Sequence, residues 1–359
     1  MNQPGLLNVA ARVSREEDIQ VEGTSVFKVL ALDGGGYRGL YTAIVLREIE
    51  QHNGSLAEHF DLLCGTSVGA LIALGLAAGR SAEEAVTFFE TCGPEIFPRG
   101  PWFARLARGL RQIGIGAKYR SKALEKALHS WLGNHTMAES NSYVCIPALN
   151  FTTWSPTVLK TDHDPSLTRD SDLLMREVAR ATSAAPFYFP AAAITGHPGL
   201  FLDGGLWANN PSLIGLIEAC RFFAGPGKAY GSVRILSVGT VDQTPGRSVR
   251  ESGDLALRSG LAVLRSTLCV QERATAFAVL HLGSSLAVPA ECIRIPSPEP
   301  SAEQARDIAL DAATPQATAT LKTLAHERAH AWNKRPEVVS FFAAPAAAPR
   351  FRKHSRLSS

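Results

Sequence analysis

The amino-acid sequence predicts an α/β fold on a mostly parallel central sheet, and three observations lead there. Apolar runs at 26–32 (VFKVLAL) and 233–238 (VRILSV) have the near-continuous hydrophobicity of strands buried on both faces. Segments with helical spacing of apolar residues alternate with such runs. Glycine-rich turns stand where the runs end, at 33–36 (DGGG), 65–69 (GTSVG) and 203–205 (DGG).

Composition narrows the function classes. The chain has 359 residues, 45% hydrophobic and 19% charged, enough for one large core or two smaller ones. A net charge of +3 speaks against a dedicated nucleic-acid polymer binder. Six scattered cysteines without a C-x-x-C pair read as free thiols in a reducing compartment and offer no structural zinc or other metal site. The first twenty residues lack a basic and then apolar leader, and the longest apolar stretch, 68–78, is shorter than the ~20 residues a membrane span needs. The expectation is a cytoplasmic protein that meets membranes only peripherally.

Taken in order, residues 1–24 read as a polar arm. The strand at 26–32 runs through the glycine loop into a helix at 40–51 with Tyr41, Ile44, Val45 and Ile49 on one side. The serine turn at 65–69 leads to a helix that Gly79 stops. A capping box at 81–84 (SAEE) opens a helix over 82–91. Ser121 caps the next helix, with Leu124, Leu128, Trp131 and Leu132 inward. Strands are expected at 143–150, 157–160, 200–202 and 233–238, and helices at 172–181 and from Pro211. Residues 242–254 read as a surface loop and 255–282 as helical. Residues 291–295 read as a last strand, 301–313 and 315–333 as two helices, and 335–359 as a disordered basic tail. The domains are then an arm (1–24), a catalytic domain (25–240), a mainly helical C-terminal extension (241–334) and the tail.

The turns carry the chemistry. Gly34, Gly35 and Gly36 place bare N–H groups before a helix, where they can receive an anionic oxygen. A Walker-type phosphate loop is not matched, because no Lys-Ser/Thr follows; an oxyanion hole suits a neighbouring serine better. Ser67 sits in Gly-x-Ser-x-Gly between a strand and a helix, the setting of an exposed nucleophile on a sharp turn. A serine hydroxyl needs a base. Asp203, ending a strand as Asp33 and the run before Ser67 do, is one candidate; His59, His135, His163 and His197 are the others.

These blocks occur in order as 33–39 (DGGGYRG), 65–69 (GTSVG), 181–190 (ATSAAPFYFP) and 203–205 (DGG), and together they resemble the patatin-like phospholipases from about residue 26 to 211. The resemblance implies a three-layer α/β/α patatin-like fold and hydrolysis of membrane phospholipid esters through an acyl-enzyme, without a metal. It implies a Ser67–Asp203 dyad, an oxyanion hole lined by Gly34, Gly35 and Gly36 with Arg38 beside it, and motif glycines at Gly39, Gly65, Gly69, Gly204 and Gly205. The overall layout is also similar to stand-alone bacterial members that act as anti-phage (CBASS) effectors. That likeness implies a cyclic dinucleotide activator and homo-oligomer formation on activation. Other readings are an unregulated lipid esterase and a non-catalytic binding protein on the same fold.

Residues 102–113 project Trp102, Phe103, Leu106, Leu110 and Ile113 onto one arc and Arg105, Arg108 and Arg111 onto the opposite side. The layout fits a helix on an anionic membrane, a contact for nucleotide phosphates, or a helix packed on the core. Charge reversal of Arg105, Arg108 and Arg111 is expected to weaken co-sedimentation with anionic vesicles; unchanged binding would remove the membrane reading.

Overall fold

The buried apolar runs set the architecture in the computed structural model, which describes residues 25–98, 116–241, 260–283 and 285–351. In chain order the first half gives β1 (Val26–Leu32), α1 (Gly39–Asn53), α2 (Leu56–His59), β2 (Leu62–Gly65), α3 (Val68–Ala77), α4 (Ala82–Ile96) and α5 (Lys122–Leu132). The middle gives β3 (Tyr143–Asn150), β4 (Ser155–Lys160), α6 (Met175–Thr182), β5 (Ala192–Ile194), β6 (His197–Asp203), α7 (Gly205–Ala208) and α8 (Ser212–Glu218). Then come β7 (Ser232–Val238), α9 (Gly260–Gly283), β8 (Ala290–Ile295), α10 (Ala302–Asp307), α11 (Pro315–Trp332) and α12 (Pro336–Val339).

β3, β2, β1, β7 and β8 are parallel neighbours, with β1 central. Alternation along β1 divides the core. Leu30 and Leu32 enter one apolar cluster with residues of α1, α3, α4 and α11. Phe27, Val29 and Ala31 enter a second with Leu216 of α8 and Val279 of α9. The result is three layers, helix, sheet and helix. No described helix is long and apolar enough to cross a membrane.

The antiparallel strands matter most for the site. β4 occupies one edge of β3 from Cys145 to Asn150. β2 pairs with β3 at residues 143–145 and β6 pairs with it at 148–150, so both must lie on the other edge, in series. They run in opposite senses, and the end of β2 at Gly65 faces the end of β6 at Asp203. Asp203 therefore reaches the serine turn from above, against the sense of the parallel strands.

Several sequence expectations are corrected. The helix expected over 82–91 continues to Ile96 through Pro94. A Cβ on Gly93 would lie 2.2 Å from the Tyr37 ring, so this glycine is a packing residue inside the helix. Only Ala302–Asp307 of 301–313 is helical. β5 is too short to stand out in an alanine run. The expected tail is ordered as far as Phe351. Phe341 is fully buried and stacks on Phe60, and Lys28 Nζ donates to the carbonyls of Phe341 (3.1 Å) and Ala344 (2.5 Å). Two phenylalanines in an Ala/Pro-rich context suffice to pin it. The arm 1–24, the segment 99–115 with Trp102, Phe103, Arg105, Arg108 and Arg111, the loop at 242–254 and residues 352–359 lie outside the described residues.

Phe341→Ala is expected to cost about 3 kcal/mol in a urea unfolding titration. A wild-type midpoint would show that the segment contributes nothing to the core.

Candidate active site

Ser67 stands between β2 and α3 with φ 51° and ψ −120°, a left-handed conformation that a non-glycine residue adopts at a cost. The flanking glycines make the turn sterically feasible. A Cβ on Gly65 would lie 2.4 Å from Gly69 O, and one on Gly69 would lie 2.3 Å from Leu32 O. Thr66 anchors the turn from beneath, its N–H donating to Leu32 O (3.1 Å) and its hydroxyl to Ala208 O (2.6 Å).

The strained turn points the Ser67 hydroxyl at Asp203, and Oγ donates to Oδ2 at 2.8 Å. Asp203 Oδ1 accepts from Gly205 N–H at 2.7 Å. Burial pushes the Asp203 carboxyl up to about 6, and the Gly205 and Ser67 hydrogen bonds only partly offset that rise. A carboxylate so placed is both a better proton acceptor than an exposed aspartate and aimed at one hydroxyl. The four candidate histidines are engaged elsewhere. His59 contacts Ser55 O (2.7 Å), His135 contacts Leu132 O (2.9 Å), His163 contacts Glu218 (2.8 Å) and His197 contacts Pro198 O (3.3 Å).

The 181–190 block ties the two strand ends together. Thr182 Oγ1 accepts from Ser67 N–H (3.0 Å) and donates to Pro147 O (2.6 Å). Asp203 N–H donates to Ala184 O (3.1 Å), and Gly204 N–H to Thr182 O (3.2 Å). Sequence reasoning marked this block without singling out Thr182. Gly204 passes so close to β3 that a Cβ would lie 2.2 Å from Pro147 O.

The glycine loop runs beside Ser67, but its three amides are not equivalent. Gly34 N–H is committed to Asn209 O (3.0 Å), so the expected donor set shrinks by one. The reason is the close approach of the 209 turn: a Cβ on Gly34 would lie 2.5 Å from Asn209 Oδ1. The N–H groups of Gly35 and Gly36, and of Val68 at the start of α3, have no acceptor among the described residues. Gly36 has φ 59°, and a Cβ there would lie 2.2 Å from Leu310 O, which also accepts from Tyr37 N–H (2.7 Å). Arg38 folds back over the loop, Nε donating to Gly35 O (3.1 Å) and Nη1 to Val241 O (2.5 Å). Gly39 opens α1 against Val68, within 2.2 Å of whose Cγ2 a Cβ would fall.

A buried ion-pair network holds the loop from behind, and no sequence signal announced it. Asp33, fully buried, pairs with Arg294 of β8 (2.6 Å), which also contacts Glu272 of α9 (2.5 Å) and Ser237 (2.6 Å). Glu272 and Gln271 in turn bond Asn209 (3.4 and 2.7 Å). A buried pair is tolerable only with its remaining valences filled, as Ser237 and Glu272 do here.

Comparison with known proteins decides the family. A family profile described as patatin-like phospholipase matches residues 30–215. The chain is 35% identical to a Vibrio cholerae protein named cGAMP-activated phospholipase, over 89% of this chain and 95% of that one. It is 42% identical to a Pseudomonas aeruginosa protein of the same name, over 65% of this chain and 67% of that one. The chain belongs to the patatin-like phospholipase family. Among solved structures, VipD from Legionella pneumophila matches with a TM-score of 0.37 at 12% identity, over 85% of this chain and 67% of that one, too distant to bear on the site.

This phospholipase is a serine lipid acyl hydrolase, and its candidate site carries a stability cost. The folded-state pKa of Asp203, about 6, lies above its ordinary 3.8, so folding favours the protonated form. The penalty is absent below the ordinary value and complete above the folded one. Asp203→Asn can keep the Gly205 hydrogen bond through its oxygen and replace the Ser67 one by a bond donated from its amide nitrogen, without the charge. It is expected to stabilise the fold by about 1–2 kcal/mol at pH 8 and by nothing at pH near 4. Thermal melts at the two pH values check this; a destabilised variant at pH 8 would contradict it.

Proposed function

We propose that the enzyme cleaves the acyl esters of membrane phospholipids with Ser67 as nucleophile and Asp203 as its general base. The observation that carries the reading is the 2.8 Å hydrogen bond from a strained, half-buried serine to a buried carboxyl whose pKa is pushed up to about 6. As Ser67 Oγ attacks the ester carbonyl, its proton passes to Asp203 Oδ2. The carbonyl oxygen becomes an oxyanion, met by the N–H groups of Gly35, Gly36 and Val68. Collapse breaks the ester bond, and the departing lysophospholipid oxygen takes the proton back from Asp203. Water then attacks the acyl-enzyme, giving its proton to Asp203, which returns it to Ser67 as the fatty acid leaves. Arg38 orients the glycine loop through Gly35 O.

A regulatory layer belongs to the same proposal. The relatives at 42% and 35% identity are named cGAMP-activated, which supports activation of this chain by a cyclic dinucleotide. We infer an anti-phage effector that acts in the cytoplasm and meets the membrane peripherally. The substrate is then the lipid of its own cell, and a switch is a physical requirement rather than an ornament.

The test is hydrolysis of positionally labelled phospholipids by wild type and Ser67→Ala, with and without cGAMP. The expected result is free fatty acid from wild type, a large rise on adding cGAMP, and loss of about 10³-fold or more in the variant. Fatty-acid release by Ser67→Ala at the wild-type rate would overturn the nucleophile, and no response to cGAMP would remove the activator. With Asp203 as base, kcat/KM should fall about tenfold per unit of pH below about 6 and be flat above it. A rate that stays constant down to pH 4.5 would contradict an aspartate base.

A further inference from the structure

The catalytic edge of the sheet carries large apolar side chains into solvent. β3 passes the level of Asp203 at Ala148 and ends at Asn150. The turn beyond it, residues 151–154, exposes Phe151 (38%) and Trp154 (67%), their rings edge-on with centroids 5.0 Å apart. The adjacent β5–β6 hairpin exposes Leu200 (44%). Phe187 is also 44% exposed and follows the helix that ends at Thr182, beside Ser67.

The β3–β4 turn is fastened to β6. Phe151 N–H donates to Leu200 O (2.7 Å), and Leu200 N–H to Thr152 Oγ1 (3.0 Å). Asn150 Oδ1 accepts from the N–H groups of Thr152 (3.0 Å) and Thr153 (3.1 Å). Trp154 has φ 52° and Phe187 has φ 69°, conformations costly for a bulky residue. The protein thus maintains backbone strain at two aromatics that it leaves in water.

Charge indicates what covers this surface. Residues 150–159 and 183–202 contain no Asp, Glu, Lys or Arg. A platform whose own residues carry no charge, with Glu177 bonded only at the far β5–β6 turn (Thr195 N–H, 2.7 Å) and Arg169 at Val158 O (3.0 Å), and with an indole at its rim, suits the headgroup zone of a bilayer, where an amphipathic ring sits half in water. Geometry agrees. The turn starts three residues beyond Ala148, or about 10 Å along the strand, comparable to the ~5–10 Å to which interfacial elements enter a bilayer.

We propose that the β3–β4 turn carrying Phe151 and Trp154, with Leu200 of β6 beside it, is an interfacial anchor that seats the catalytic edge on a zwitterionic phospholipid surface. The choice of lipid as partner rests on the phospholipase reading above. The anchor works by apolar insertion and needs no anionic lipid, unlike a basic helix.

The test is co-sedimentation of the full chain with vesicles of ether-linked phosphatidylcholine, which contain no acyl ester to cleave. Wild type is expected to bind, with little change on raising the salt concentration. The double variant Phe151→Ser, Trp154→Ser is expected to partition about tenfold or more weakly, while hydrolysing a soluble short-chain ester at the wild-type rate. Failure of wild type to bind, or equal binding by the variant, overturns the anchor. So does a variant whose only change is a smaller sedimentation coefficient in the absence of lipid, which would mark the surface as a contact between copies of the chain. Soluble-ester hydrolysis is read separately, with cGAMP added: its absence in a wild type that binds vesicles counts against the dyad and leaves the anchor supported.

Discussion

The hydrogen bond between Ser67 and Asp203 exists because β2 and β6 share one edge of β3 and meet end to end. Few arrangements bring two strand termini face to face. In a fully parallel sheet, a carboxylate at a strand end points away from the body beside the serine turn. Here the antiparallel β6 descends into the lane that β2 vacates and stops where the chain turns at Ser67. Positions that could clash at that junction are small: Gly65, Gly69 and Gly204 each sit where a Cβ would strike backbone. Thr182 binds both ends at once.

The rest of the site is held from the C-terminal side. The glycine loop has little packing surface of its own, so its position depends on what surrounds it. Asn209, Thr240 and Leu310 contact it directly, and Asp33 fixes its start through Arg294 and Glu272. β8 and α9 supply those last two residues. The chain beyond residue 240 therefore completes the sheet and braces the loop that faces the serine, and a shift of α9 or β8 would be felt at the N–H groups of Gly35 and Gly36. An activator acting at a distance from Ser67 would have such a route available.

Much of this was legible in the sequence, and the reasons are specific. Val26–Leu32 and Ser232–Val238 are buried on both faces, so their apolar runs stood out, and strand–turn–serine–helix geometry is encoded locally by Gly65 and Gly69. Non-local features were not legible. The antiparallel sense of β6 depends on which edge of β3 is free, which no local pattern records. The engagement of Gly34 by Asn209 and the Asp33–Arg294 pair join residues about 175 and 261 positions apart. Phe341 was hidden because alanine and proline around it lower the apparent order of the segment.

The account stands on one claim, that a buried aspartate alone activates Ser67. Its most direct test is covalent labelling by a fluorophosphonate, with the modified peptide identified by mass spectrometry and the rate followed against pH. The account predicts a single adduct on Ser67, a labelling rate that declines as pH falls below about 6, and at least about hundredfold slower labelling of Asp203→Asn. Labelling of another serine, or equal rates for wild type and Asp203→Asn, would contradict it.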